Sequence, residues 1–178
     1  AVDKEDYEGH VYIPAGVKYN NEEWAVVGIV GNAFNNCTQL LTISLPRSLQ
    51  SDQMGISLFT GCTRLAAITW NANFALSQQT LGMVTNPNLL FFANSLNYAP
   101  STVTNVVANG VAPKIVLQDP EGDTPANWFS PTTFTATSIT YTHEYTLTSG
   151  INGEVRGWET LALPFSVDKI EHSQKGIL

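Results

Sequence analysis

Apolar residues recur along the first half of the chain at a fixed interval. Phe34, Cys37, Leu40 and Ile43 are matched by Phe59, Cys62, Leu65 and Ile68, each 25 positions on, and Thr38 and Thr63 keep the same offset. Four apolar positions held in register over one period are the mark of a stacked repeat, in which each unit hides its apolar face against the next. In each unit, residues 33–37 or 58–62 predict a short helical turn, and a strand follows. Alternation with a period of two turns Leu41, Ile43 and Leu45 inward and Thr42 and Ser44 outward. The next unit sends Ala66, Ile68 and Trp70 inward and Ala67 and Thr69 outward. Trp70 falls in the register of Leu45, so it reads as core. A weaker third copy aligns at an offset of 24, Leu65 to Leu89 and Ile68 to Phe92, with Asn86 where Cys62 stood. That offset points Leu90 and Phe92 inward and Phe91 and Ala93 outward. Asn suits the Cys position because its amide can bond the backbone of a tight turn.

The flanks are patterned differently. Val11 and Ile13, then Val17 and Tyr19, alternate as two short strands broken by Pro14-Ala15-Gly16, with Asn20-Asn21 as a turn before Trp24. This predicts a capping hairpin, which an array needs to cover its end. After residue 97 the character changes. Residues 102–107, 114–117, 134–147 and 158–167 are strand-like, with turns at 119–123 and 149–153. The apolar set of 134–147 switches from even to odd positions near Thr137-Ser138, which predicts a bulge or bend. The expected fold is mainly β: a leucine-rich-repeat solenoid of about three coils with its capping hairpin over 1–97, then an antiparallel β-sandwich-like domain over 98–178, incomplete in this stretch.

Charge narrows the partners. Only 13% of residues are charged, about half the usual share, so the polar surface is built from Thr, Ser, Asn and Gln. A net charge of −7 argues against nucleic acid and against anionic membrane surfaces. No apolar run reaches the ~20 residues of a membrane helix. No signal peptide opens the stretch and its end lacks a natural stop, so it reads as a mature fragment or as a trimmed piece of a longer chain. The two cysteines share one repeat position and are expected on adjacent coils as buried thiols; stacked strands lie ~4.8 Å apart, within reach of a disulfide.

Little in the residues points to chemistry. His10, His143 and His172 match no metal spacing, and there is no nucleophile elbow, P-loop or dinucleotide fingerprint. Asp119, Glu121 and Asp123 alternate as in a calcium loop, but Thr124 stands at the sixth position and Ser130 at the twelfth, so a solvated turn is expected. Asn36-Cys37-Thr38 fits a glycosylation sequon but lies within the repeat core.

The pattern Ala33-Phe34, Cys37, Leu40, Ile43, Leu45-Pro46, repeated as Phe59, Cys62, Leu65 and Ile68, resembles the BspA-type leucine-rich repeat family of bacterial surface proteins. It departs at Leu58 and at Trp70-Asn71. The opening Val11-Tyr12-Ile13-Pro14 resembles the family's first repeat. Ile115-Val116-Leu117, Phe134-Thr135-Ala136, Ile139-Thr140-Tyr141 and Leu163-Pro164-Phe165 resemble the β module that often follows such arrays. The resemblance implies a secreted or cell-surface, adhesin-like protein of bacterial origin and carries over no catalytic residue and no cofactor. The expected function is non-enzymatic recognition of a host or bacterial surface protein or glycan. Its expected surface is the sheet face: Thr42, Ser44, Ala67, Thr69, Phe91 and Ala93, with Phe91 as the aromatic anchor. The competing expectation is a structural spacer that projects another domain; a glycan-active enzyme, which needs two converging carboxylates, is the remote one.

Overall fold

The computed structural model describes residues 7–118 and 127–142. The Asp119–Asp123 turn, His143, His172 and every strand expected after Thr142 lie outside them. The chain divides into two compact units, Ala1–His143 and Glu144–Leu178; all described residues belong to the first.

The fold is mainly β and is organised by one mixed seven-stranded sheet. Strands β1 (Gly9–Tyr12), β4 (Leu40–Leu45), β5 (Ala67–Trp70), β6 (Leu90–Ala93) and β7 (Asn105–Ala108) lie side by side, all parallel. Strand β8 (Val111–Ala112) turns back antiparallel to β7, and β10 (Thr135–Ala136) adds parallel to β8. The expected boundary at 97/98 therefore falls inside a continuous sheet, because β7, β8 and β10 extend the array of the first half.

The period of 25 appears in the backbone as well as in the side chains. Ile43 pairs with Ile68 and Leu45 with Trp70. The Phe34 and Phe59 rings stack with centroids 5.5 Å apart and planes 7° apart. Asn32, Ser57 and Gly82, again 25 apart, all have left-handed φ, as do Asn36 and Gly61. The expected helical turns at 33–37 and 58–62 are instead single four-residue turns, Cys37 N–H to Phe34 O and Cys62 N–H to Phe59 O. The reason lies in the neighbouring unit. Phe34 and Asn36 give their N–H groups to Leu58 O and Thr60 O, and Leu58 and Phe59 give theirs to Thr80 O and Leu81 O, so no i−4 ladder can form. The third unit makes an α-helical turn in this place, α1 (Gln78–Leu81), capped by the Ser77 hydroxyl.

The core fills the space between this turn side and the inner face of the sheet. Phe34, Leu40, Ile43, Leu45, Phe59, Leu65, Ile68 and Trp70 are all buried in one cluster. Leu40, rather than the expected Leu41, is the inward residue at the start of β4; Leu41 is half-buried. Trp70 is core as expected, its indole N–H donating to Phe74 O at 2.8 Å. Cys37 and Cys62 are buried thiols, not joined by a disulfide. The Cys62 thiol donates to Phe34 O at 2.9 Å, and burial, opposed by a backbone hydrogen bond from Cys37, pushes it up to about 12.

The hairpin of β2 (Gly16–Tyr19) and β3 (Glu22–Ala25) forms around Asn20 and Asn21, both with left-handed φ, the combination a two-residue hairpin turn requires. All eight of its strand residues are exposed. It does not cover the array; β1, paired with Thr42 and its neighbours, supplies the terminal strand.

The strands after residue 97 are mostly parallel where antiparallel pairing was expected. Strand β9 (Ile115–Gln118) pairs parallel with β11 (Ile139–Thr142) in a separate two-stranded sheet. Long connections, such as that between Gln118 and Ile139, permit parallel pairing where a tight turn does not. The parity switch at Thr137-Ser138 marks a corner: Thr137 N–H bonds Ala112 O in the large sheet, while Ser138 O accepts from Ile115 N–H in the small one.

Candidate functional site: the outer face of the sheet

Strand alternation and the observed register define two rows on the outer face. The first is His10, Thr42, Ala67, Leu90 and Asn105; the second is Tyr12, Ser44, Thr69, Phe92 and Val107. Thr42, Ser44, Ala67 and Thr69 lie here as expected. Phe91 and Ala93 do not. Ile68 pairs with Phe91 and Trp70 with Ala93, an offset of 23 rather than 24. A shift of one residue exchanges the faces of a strand, so Phe91 and Ala93 join the core cluster, Phe91 with no exposed surface. Phe92 takes the outward position.

The turn before β6 shows how it is built. The Asn86 side-chain oxygen accepts the Asn88 N–H at 3.0 Å, and its amide donates to Leu65 O at 2.9 Å and to Asn127 O at 2.8 Å. The amide bonds the turn backbone, as the Asn-for-Cys exchange predicts, and also fastens the segment that follows β9.

The chain's own later strands cover most of the first row. Asn105, fully buried in β7, donates to Val116 O at 2.9 Å and accepts from Val116 N–H at 2.7 Å. Asn88 brackets Gln118 in the same way, donating to its O at 2.8 Å and accepting from its N–H at 2.9 Å. Alternate peptide groups of β9 face opposite edges. Ile115 N–H bonds toward β11, so the two asparagines take the place of a neighbouring strand on the other edge. Two aromatic contacts complete the cover. Phe134 meets Phe92 edge-on at 5.8 Å, and Phe129 lies 4.9 Å from the His10 ring, which shares a 2.9 Å hydrogen bond with Thr42 Oγ1. Leu90, Phe92, Val107, Ile115 and Leu117 are buried here, outside the main core cluster. Among the described residues, every buried side-chain nitrogen and oxygen has a partner.

Of the six residues expected to form a binding surface, Thr42, Ala67, Phe91 and Ala93 are buried, and Ser44 and Thr69 are half-buried. What stays open is the β1 end of both rows: His10, exposed, in the first, and in the second a strip that starts at Tyr12, 70% exposed, and runs past Ser44 to Thr69. Asn71 Nδ2 reaches Ser44 Oγ at 3.4 Å and is held by Leu45 O at 2.8 Å. This strip is uncharged: one phenol ring, two hydroxyls and an amide. It can stack on an apolar surface and exchange hydrogen bonds in both directions. It holds no pair of acids and no base. Among the described residues, no three His, Cys, Asp or Glu side chains are grouped to hold a metal, and no helix is long and apolar enough to cross a membrane.

Sequence reasoning missed Tyr12 as part of the surface, and it missed Asn88, Asn105, Phe129 and Phe134 as its cover. One signal was available. Asn105 sits inside a strand pattern ending in Val106-Val107, where Asn is unfavourable unless its amide is committed to backbone.

Comparison with family models, with curated proteins and with solved structures finds no match to this chain.

Proposed function

We propose that the chain is a non-enzymatic recognition module of a secreted or cell-surface bacterial protein. In this reading it is a short leucine-rich-repeat solenoid, similar to the BspA type, that binds a protein or glycan partner through the open strip of its sheet. The repeat reading is supported by the parallel pairing of β4 with β5, by the stacked Phe34 and Phe59, and by left-handed positions spaced 25 apart at Asn32, Ser57 and Gly82. The recognition reading is carried by one observation: Tyr12 remains exposed beside the half-buried Ser44 and Thr69, with His10 the other exposed position of the face, while the strands from β6 onward are closed on this side. An exposed aromatic beside satisfied polar groups is the type of anchor around which interfaces concentrate their energy.

The test is capture of defined extracellular-matrix proteins and glycans by the intact chain, with Tyr12→Ala and Thr69→Arg as the discriminating variants. Loss of capture in both supports the strip; unchanged capture removes it. A second reading, a structural spacer, is favoured by the burial of Thr42 and Ala67 under the chain's own strands. It predicts that no member of such a panel is captured.

A further inference from the structure

A second concavity lies away from the strip. It is a cleft of about 360 Å³ between α1 with the loop after it, residues 102–104, and β9. Its size falls within the range of small-molecule sites, roughly 300–1,000 Å³.

The walls are set by contacts already described. Asn86 and Asn88 spend their amides on backbone at one side, and Asn105 fixes Val116 at the other. Thr102 Oγ1 donates to Gln78 Oε1, and Gln78 Nε2 donates to Gly82 O at 3.0 Å, so α1 is tied both to the loop after it and to the opposite wall. A cleft with walls positioned in this way loses little ordering entropy when it fills.

Among the described residues, its lining contains no charged side chain. Burying a phosphate, carboxylate or ammonium here without a counter-charge is costly, so ionic ligands are disfavoured. The polar lining includes Thr85, Thr104 and Gln118, with Leu81, Val103 and Val116 as apolar surface between them. Hydroxyls and amides both donate and accept. A guest that matches them carries donors and acceptors together on a compact, partly apolar ring. We propose that this cleft is a binding site for a neutral saccharide of one or two rings. It is independent of the Tyr12 strip.

The experiment is an amide-resolved NMR titration of the full chain. The probes are glucose, galactose, N-acetylglucosamine, lactose and chitobiose, with glucuronic acid and sialic acid as charged comparisons. At least one neutral sugar is expected to shift the Thr85, Thr104 and Gln118 resonances with a dissociation constant of about 1 mM or tighter. The Thr85→Val/Thr104→Val double variant is expected to weaken that sugar at least tenfold. Gln118→Glu, which places a charge in the lining, is expected to do the same, and it serves as the readout should the double variant fail to fold. Thr69→Arg, on the separate strip, is expected to leave sugar binding unchanged. The proposal is overturned if no neutral sugar shifts these resonances, if the charged sugars bind as tightly, or if the cleft variants bind as well as the parent. Loss of sugar binding in Thr69→Arg would place the sugar on the strip and overturn the cleft assignment while sparing the recognition reading.

Discussion

Replacing Asn105 by Ala removes a side chain that stands in for a strand. In the folded protein its amide bonds both the N–H and the C=O of Val116, at 2.7 and 2.9 Å, from a fully buried position. Truncation takes the partner from both Val116 groups and also removes a longer bond, 3.4 Å, to Pro87 O. A buried group left unsatisfied costs about 1–3 kcal/mol. Water entering along the half-buried Val116 edge offsets part of this, so the expected loss is about 2–4 kcal/mol. For a chain of this length each kcal/mol lowers Tm by about 2–4 °C, which gives a fall of roughly 4–16 °C. Asn105→Asp keeps an acceptor for Val116 N–H, loses the donor to Val116 O and buries a charge. It is expected to be at least as destabilising at neutral pH. Urea denaturation measures the energy, and hydrogen exchange at Val116 locates it. Stability within about 0.5 kcal/mol of the parent, with Val116 protection unchanged, would refute the reasoning that these asparagines hold the cover in place.

Three further outcomes follow from the packing. Phe91→Ala is expected to cost about 3–5 kcal/mol in chemical denaturation, because Phe91 has no exposed surface; a near-neutral effect would mean that it faces outward after all. Gly55→Ala puts a Cβ 2.0 Å from the Gly31 nitrogen, which forces two backbone segments apart; a loss of about 3 kcal/mol is expected in a thermal melt, and an unchanged Tm would contradict the close approach. The Cys62 thiol, raised by burial from 9.0 to about 12, keeps its proton in the folded chain where the unfolded chain has lost it. Its contribution is therefore complete below about pH 9 and is lost as pH rises toward about 12. Cys62→Ala should show a shallower decline of stability over that window than the parent, and parallel pH profiles would exclude the effect.

The features legible in the sequence were those that local pattern controls. The spacing of Phe34, Cys37, Leu40 and Ile43 from their partners foretold the pairing of Ile43 with Ile68 and the burial of Trp70 opposite Leu45. Asn20-Asn21 announced a hairpin, and the parity switch at Thr137-Ser138 marked a corner between two sheets. The offset of the third strand was not legible. Leu65 and Leu89 align at 24, yet Ile68 meets Phe91, and the difference is absorbed in a turn that periodicity does not register. The cover was not legible either. Whether Thr42 and Ala67 meet solvent depends on where Val116 and Phe129 arrive, and those placements rest on long-range contacts with Asn105 and His10. Pairing direction was misjudged for the same reason: alternation in β9 and β11 identifies strands without saying which way a distant partner runs.

The central claim is that recognition takes place on the strip left open beside that cover. The most direct test measures binding of the intact chain to a defined panel of extracellular-matrix proteins and glycans, with the parent, Tyr12→Ala and Thr69→Arg compared side by side. The account predicts capture of at least one panel member and a loss of tenfold or more, about 1.4 kcal/mol, in each variant while the thermal melt stays unchanged. Capture that both variants retain in full, or a panel from which the parent captures nothing, would contradict it.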